Sequence, residues 1–404
     1  MAKRRRKKLA EELLVLKRLG PIEELRLEPR DLTLIIGEQA TGKSLVAQML
    51  YFFRGLRRHL QEKFRPAVKK HDNWPDVLLK EVLDDMRGVA FGYFANGTAK
   101  IEYQQRMDGY DWSVSVYGGN RRVNAGEKLR RQIEQWAEPW DEQLEKRVDF
   151  VKIVIFGPEE EREQIFIPTE RSMFTRYIEN QPSVLFSDFQ PLPFQNFTNT
   201  LQRCKRIYAR LRKRRWLIKR KSEEALRGRA YVPRSGPREW KWKTVVNGGR
   251  EKILPIEALA SGQMEAWPFF VVAEVVMRGK EKVDLYFEEP ETHLHPRAQV
   301  AVMDTIVALV NHGHRVVVTT HSPYLLYRLN NMLQRHRLRP EERSGDLTLD
   351  PAKLCAIRLD TRGKSKSILD RRTTGLVDAG ELEKVADELG GEFDRLLERS
   401  EPER

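Results

Sequence analysis

Eight consecutive residues constrain this chain more than anything else in it: Gly37-Glu38-Gln39-Ala40-Thr41-Gly42-Lys43-Ser44. They fit G-x-x-x-x-G-K-[ST] at every fixed position. Glycines in such a loop let it curl, so that successive backbone N–H groups face a single anion, the nest that phosphate needs. Lys43 would reach the β- and γ-phosphates of a nucleotide, and the Ser44 hydroxyl would ligate Mg²⁺. The helix that opens around Gly42 and runs on through Leu45 turns its positive end toward the same anion. The apolar run Leu32–Ile36 before the loop and the helix-like run Ser44–Leu56 after it supply the strand–loop–helix context that gives the motif meaning.

Three further segments carry chemistry. Val283–Phe287 reads as an apolar strand ending in Glu288 and Glu289. A metal-bound nucleotide wants a carboxylate at a strand end, and hydrolysis wants a second one on the attacking water. Glu288 is therefore assigned to the metal and Glu289 to the water. His321, at the end of the next strand-like run, is placed to hydrogen-bond a γ-phosphate. Leu259-Ala260-Ser261-Gly262-Gln263 is a small-residue turn opening a helix, a second anion site. The chain already has one phosphate cradle, so Ser261, Gly262 and Gln263 are best used on a neighbour's nucleotide.

The rest of the pattern organises around these motifs. Ala10–Leu19 alternates charge and leucine and reads as an amphipathic helix, giving a basic N-terminal helix over 1–20. Ile22–Leu27, Val89–Phe94, Lys100–Gln104, Trp112–Tyr117 and Val151–Phe156 read as strands, with Asn96-Gly97 as a hairpin turn. The first part of the head then spans 21–171 and a basic helical insert spans 172–235. A second hairpin, around Asn247-Gly248-Gly249, leads into helix, strand, helix and strand over 236–375, the alternation of an α/β core with a parallel sheet. A C-terminal helix fills 376–404.

Charge is concentrated rather than spread. The net is +14, and the six basic residues Lys3–Lys8 together with thirteen Lys/Arg against two Glu in Thr200–Arg229 exceed it, leaving the remainder slightly acidic. A localised excess makes a patch that a polyanion would see, and Arg212, Lys213, Arg214, Arg215, Lys219, Arg220 and Lys221 are the candidates to contact nucleic acid. The longest apolar run, Pro268–Met277, contains Glu274 and is too short to span a bilayer. Two cysteines make neither a disulfide framework nor a zinc site, and the expected location is cytoplasmic. A metal site built from His293, His295, His312 and His314 is not expected.

Taken together, the motifs resemble the ABC-type ATPases of the SMC, RecF and OLD group. Gly37–Ser44 corresponds to Walker A, Leu259–Gln263 to the signature, Glu288–Pro296 to Walker B and the D-loop, and His321 to the switch histidine. Ile167–Ser172 is similar to a segment common in stand-alone bacterial members. The resemblance implies an α/β P-loop NTPase head with an antiparallel β portion and a short helical insert. It implies ATP and Mg²⁺ as cofactors, ATP hydrolysis, and a homodimer or higher homo-oligomer paired head-to-tail, each signature completing its partner's site. Three positions depart from the family: Glu38-Gln39 replaces the frequent Pro-Asn, Glu288 stands where Asp is commoner, and Ala260 occupies the usual signature serine. The last puts fast hydrolysis in doubt. Gln104, Gln105 and Gln164 are the candidates for the Q-loop glutamine. The compact head, small insert and Leu376–Leu397 segment also look like the ATPase subunits of the Paris and Septu anti-phage systems, which implies a sensor or scaffold controlling a separate nuclease effector. The alternative is a RecF-like DNA-binding ATPase of repair or recombination.

Overall fold

The computed structural model describes residues 11–70, 77, 81, 95–107, 110–119, 122–125, 162–177, 192–210, 217–233, 239–246, 250–338, 347–370 and 374–400. Strands β1 (Glu12–Leu19), β2 (Ile22–Leu27) and β3 (Leu32–Gly37) lead into helix α1 (Lys43–Lys70), and β4 (Ala95–Met107), β5 (Tyr110–Gly119), β6 (Arg122–Ala125) and β7 (Glu163–Ile167) follow. Next come α2 (Arg171–Tyr177), α3 (Leu192–Tyr208), α4 (Leu217–Leu226), β8 (Arg229–Tyr231), β9 (Lys241–Val246) and β10 (Arg250–Pro255). The chain continues with α5 (Ser261–Arg278), β11 (Val283–Glu288), α6 (Pro296–Asn311), β12 (Arg315–Thr320) and α7 (Pro323–His336). It closes with β13 (Leu354–Leu359), β14 (Ser365–Ser367) and α8 (Gly380–Ser400).

The central sheet runs β14-β13-β3-β12-β11-β7, parallel throughout except for the β14 edge. Every residue of β3 and β11 is buried, as expected of parallel strands covered on both faces. Register decides function here. Thr320 lies opposite Ile36, Glu288 opposite Thr319, and Gly37 opposite Leu359. Parallel strands in that register bring the phosphate loop, the two glutamates and His321 to one carboxyl edge, where ligands of open α/β sheets sit. Helices α6 and α7 start cleanly: both carry Pro in their first turn, and the His295 ring and Ser322 hydroxyl accept the Arg297 and Leu325 amides.

Three sequence readings are corrected. Residues 12–19 form a strand, not a helix. Leu13, Leu14, Val15 and Leu16 are consecutive and buried, which a one-sided helix cannot do but a strand between β2 and β4 can. Asn96-Gly97 is no turn either, because β4 runs straight through it; the hairpin closes between Met107 and Tyr110. The third concerns the helical insert, which does not stand apart as an arm. Phe197, Leu201 and Cys204 of α3 and Leu226 of α4 belong to the main core, and Lys221 of α4 donates to buried Asp304 of α6 at 2.6 Å. The strands read at 89–94 and 151–156 lie outside the described residues; the remaining hairpin, β9–β10, pairs Arg250 with Val246 as read.

The antiparallel sheet β2-β1-β4-β5-β6 is keyed to α1 by a buried charge. Arg54 grips Glu12 through Nε and Nη2 at 2.8 and 2.9 Å, and the Tyr103 hydroxyl donates to the same carboxylate at 3.0 Å. Burial alone would raise the Glu12 pKa, but the Arg54 charge and hydrogen bonds outweigh it and hold the carboxyl below its ordinary range. Its stabilising contribution is thus full above the unfolded carboxylate pKa and lost as pH falls through the lower folded value. Arg54→Ala leaves a buried uncompensated charge and should cost about 3–5 kcal/mol. Urea melts of wild type and variant at neutral pH give that difference, and it should shrink as the pH is lowered into the acid range.

Candidate nucleotide site

The phosphate loop takes its shape from glycine and from what lies behind it. Gly42 has φ +95°, and a Cβ there would come within 2.9 Å of the Ile22 side chain at the start of β2. Ala40 also sits at positive φ, +63°. Thr41 Oγ1 donates to the Glu38 carbonyl at 2.9 Å and pins the curl. Lys43 Nζ lies across the loop, donating to the Gly37 and Glu38 carbonyls at 3.0 and 2.7 Å. Burial lowers the Lys43 pKa, and the charges of Glu289 and Glu291 partly restore it. An ammonium so placed faces acid on one side and the loop's own carbonyls on the other.

Glu288 ends β11 buried, and its carboxyl meets the Ser44 hydroxyl. Burial pushes its pKa up to about 7, against the Ser44 hydrogen bond; the nearby Glu170 adds to the rise. Among the described residues its Oε1 is buried without a hydrogen-bond partner. A buried orphan carboxylate oxygen beside a serine hydroxyl is a hard-oxygen pair suited to Mg²⁺, which takes one or two protein oxygens and leaves the rest to phosphate and water. The residues therefore fit the ion.

Glu289 is half-buried, with φ +41°. Its Oε1 lies 3.2 Å from His321 Nε2. The His321 hydrogen bond, first among several favourable charges, holds the Glu289 pKa below the ordinary value despite partial burial. It is a carboxylate at neutral pH, able to accept a proton. So Lys43, Ser44, Glu288, Glu289 and His321 form one constellation at the sheet edge.

Ser261, Gly262 and Gln263 do not join it: among the described residues none of their contacts reaches the phosphate loop. Ala260 is the N-cap of α5, and the Gln263 side chain accepts from its amide at 3.2 Å. Gln263 Nε2 donates to the Leu226 carbonyl at the end of α4, 2.7 Å away. Gly262 backs onto the D-loop so closely that a Cβ would lie 2.5 Å from the His293 carbonyl. Ser261 is exposed, so the positive end of α5 faces outward from the protein.

Two residues that contact this constellation escaped the sequence reading. The Glu291 carboxylate accepts from Thr320 Oγ1 at 2.8 Å and from the His321 amide, tying the D-loop to the switch strand. Arg171 is wholly buried behind the two Walker B glutamates. Each is a charged residue inside a motif segment, Glu288–Pro296 or Ile167–Ser172, with nothing local to say what it meets. Of the Q-loop candidates, Gln164 bonds Tyr286 and Asp284 at the far end of β11, away from the phosphate edge, and Gln104 and Gln105 lie within β4. The histidines are engaged locally: His295 caps α6, His312 Nδ1 lies 2.8 Å from the Ala308 carbonyl, and His314 Nδ1 accepts from the Val283 amide. Lys221 is committed to Asp304 and is withdrawn from the nucleic-acid candidates. Arg212, Lys213, Arg214 and Arg215 lie outside the described residues, as do the side chains of Lys219 and Arg220.

Residues 142–326 match the family model described as an AAA ATPase domain, a span that takes in the signature turn, both glutamates and His321. That segment of the chain is similar to AAA ATPase domains; the phosphate loop at 37–44 lies before it. No curated protein matches the chain. Similar solved structures include an SMC head bound to the C-terminal winged-helix domain of ScpA (13% identity, 89% of this chain and 97% of that one, TM-score 0.44). The SMC head domain from Thermotoga maritima is 11% identical, with 89% and 98% covered and a TM-score of 0.38. An Smc head with an extended coiled coil, bound to the C-terminal domain of ScpA derived from Pyrococcus furiosus, is 12% identical, with 93% and 98% covered and a TM-score of 0.41. No helix among the described residues is long and apolar enough to cross a membrane.

Proposed function

We propose that this head binds ATP with Mg²⁺ and hydrolyses it at a site completed by a second copy of the chain. The observation that carries the reading is the Glu289–His321 pair facing the loop of Lys43 and Ser44, with Glu288 on the Ser44 hydroxyl. In this reading the P-loop amides and Lys43 grip the phosphates. Ser44 and Glu288 would hold the Mg²⁺, whose charge would screen the phosphates. Glu289 takes the proton of the attacking water, and His321 orients Glu289 and meets the γ-phosphate.

The second copy is inferred from α5. Its N-terminus is exposed, has no acidic residue in its first turn, and carries the polarity that binds an anion. Docked on a neighbour's γ-phosphate, Ser261 and the Gly262 amide would close the site, and ATP would hold the two heads together. Ser261→Arg tests this. Light scattering should show wild type doubling its mass with ATP and Mg²⁺, while the variant binds ATP yet stays monomeric. A wild-type head that remains monomeric when saturated with ATP sinks the shared site.

We place this ATPase upstream of a separate effector, as the sensor or scaffold of an anti-phage system. The support is the likeness of the compact head, small insert and Leu376–Leu397 segment to the ATPase subunits of such systems. A RecF-like role in DNA repair would rest on the basic run at 212–220 and is the weaker reading, since Lys221 is already paired inside the protein.

A further inference from the structure

We infer that Arg171 is a positioning residue that locks the backbone of Glu288 and Glu289 to the signature helix α5, so that the carboxylates and the signature turn move as one body. The inference rests on the ATPase reading for what that body does, but the lock itself is a matter of contacts. Arg171 is fully buried. Its Nη1 donates to the Glu288 carbonyl at 3.0 Å and to Pro168 at 3.0 Å, and its Nη2 to the Glu289 carbonyl at 3.1 Å. Its Nε donates to the Glu265 carbonyl of α5 at 2.8 Å and lies 3.3 Å from the Glu265 carboxylate. The guanidinium also sits over the Phe287 ring, 5.0 Å from its centroid. One side chain thus joins the β7–α2 junction, the end of β11 and the first turns of α5.

Only arginine can do this. Its planar fork presents five donors in fixed directions, whereas a lysine ammonium on that stem cannot reach three elements at once. The need is specific too. Glu289 stands at φ +41°, a conformation uncommon for a side-chain-bearing residue, and such backbone persists only where the surroundings over-determine it. The bond from Arg171 to the Glu289 carbonyl is part of that over-determination, and the carboxylate's aim at His321 follows from it. Arg171 is also the first residue of α2, where the chain leaves the sheet for the insert. At the insert's other end, Gln263 holds the Leu226 carbonyl. Both ends of the insert are therefore bonded to the first turns of α5, and through Arg171 to the glutamates.

Two variants separate the lock from mere packing. Arg171→Lys keeps a cation against Glu265 but cannot span both carbonyls. Glu265→Gln leaves Arg171 in place, sits on another helix and removes the charge that seats the guanidinium. For both, ATP affinity and KM should stay within about twofold while kcat drops about tenfold or more, since small misplacement of a catalytic group is costly. Amide exchange without nucleotide should accelerate at residues 288–293, but not in β1–β2. The double variant should be no worse than Arg171→Lys alone, the mark of a single shared interaction. A folded Arg171→Lys with wild-type kcat overturns the inference. So does Glu265→Gln if its exchange changes stay within α5, and that second test decides the matter should Arg171→Lys fail to fold. If wild type shows no turnover at all, the ATPase reading falls, and exchange at 288–293 alone judges the lock.

Discussion

Replacing Glu289 by Gln should leave ATP bound and stop its turnover. The amide keeps the size of the side chain and a hydrogen bond to His321, 3.2 Å away in the native pair, but it accepts no proton from water. General-base catalysis is worth about 10²–10⁴ in rate, so phosphate release should fall by that factor. Affinity should hold, because the phosphate grip belongs to Lys43 and the loop amides. With hydrolysis blocked, ATP and Mg²⁺ should accumulate the paired form seen by light scattering. Because the His321 hydrogen bond keeps the Glu289 pKa low, wild-type turnover should lose its base only below the ordinary carboxylate range as pH falls. Normal phosphate release from Glu289→Gln would remove Glu289 from this role.

Lys43→Ala should act on the other half of the cycle. Two charge-assisted hydrogen bonds to phosphate, at about 1.5–3 kcal/mol each, set a loss of roughly 3–6 kcal/mol in ATP binding. That corresponds to a dissociation constant raised about 10²–10⁴-fold. Stability should also fall, by about 1–3 kcal/mol, since the buried Gly37 carbonyl and the part-buried Glu38 carbonyl lose their donor. Titration calorimetry with ATP and Mg²⁺ reads the first effect and thermal melting the second. Tight ATP binding by a folded Lys43→Ala protein would place the nucleotide elsewhere. The two variants also differ in kind: Glu289→Gln should favour ATP-held pairs, whereas Lys43→Ala should prevent them.

Ala260 bears on speed. It caps α5 without a side-chain acceptor of its own, and the Gln263 side chain accepts from its amide. If α5 closes a neighbour's site as proposed, the absence of a serine hydroxyl at position 260 would leave Ser261 and the Gly262 amide as the donors to its phosphate. Slow hydrolysis and a long-lived ATP-bound pair suit a switch better than a motor.

Elements set by local pattern were legible in the residues alone. The phosphate loop, α1, α5, β11, α6 and β12 all follow from short-range spacing, apolar runs and caps. Where the pattern misled, a distant partner had decided. The Glu12–Leu19 run alternates like a helix face but is buried on both sides because β2 and β4 flank it. Asn96-Gly97 has turn chemistry, yet the length of β1 draws β4 through it. Lys221 sits in a basic run that looks solvated, and Asp304, far along the chain, claims it.

By itself the sequence determined which atoms could grip phosphate and metal, because eight adjacent residues encode a backbone shape and the side chains it presents. Tertiary structure alone decided that Glu289 meets His321, that Glu291 holds the switch strand and that Arg171 ties the glutamates to α5. Those partners are separated by 32, 29 and 118 positions. Their meeting depends on strand register and helix packing, which no local spacing records.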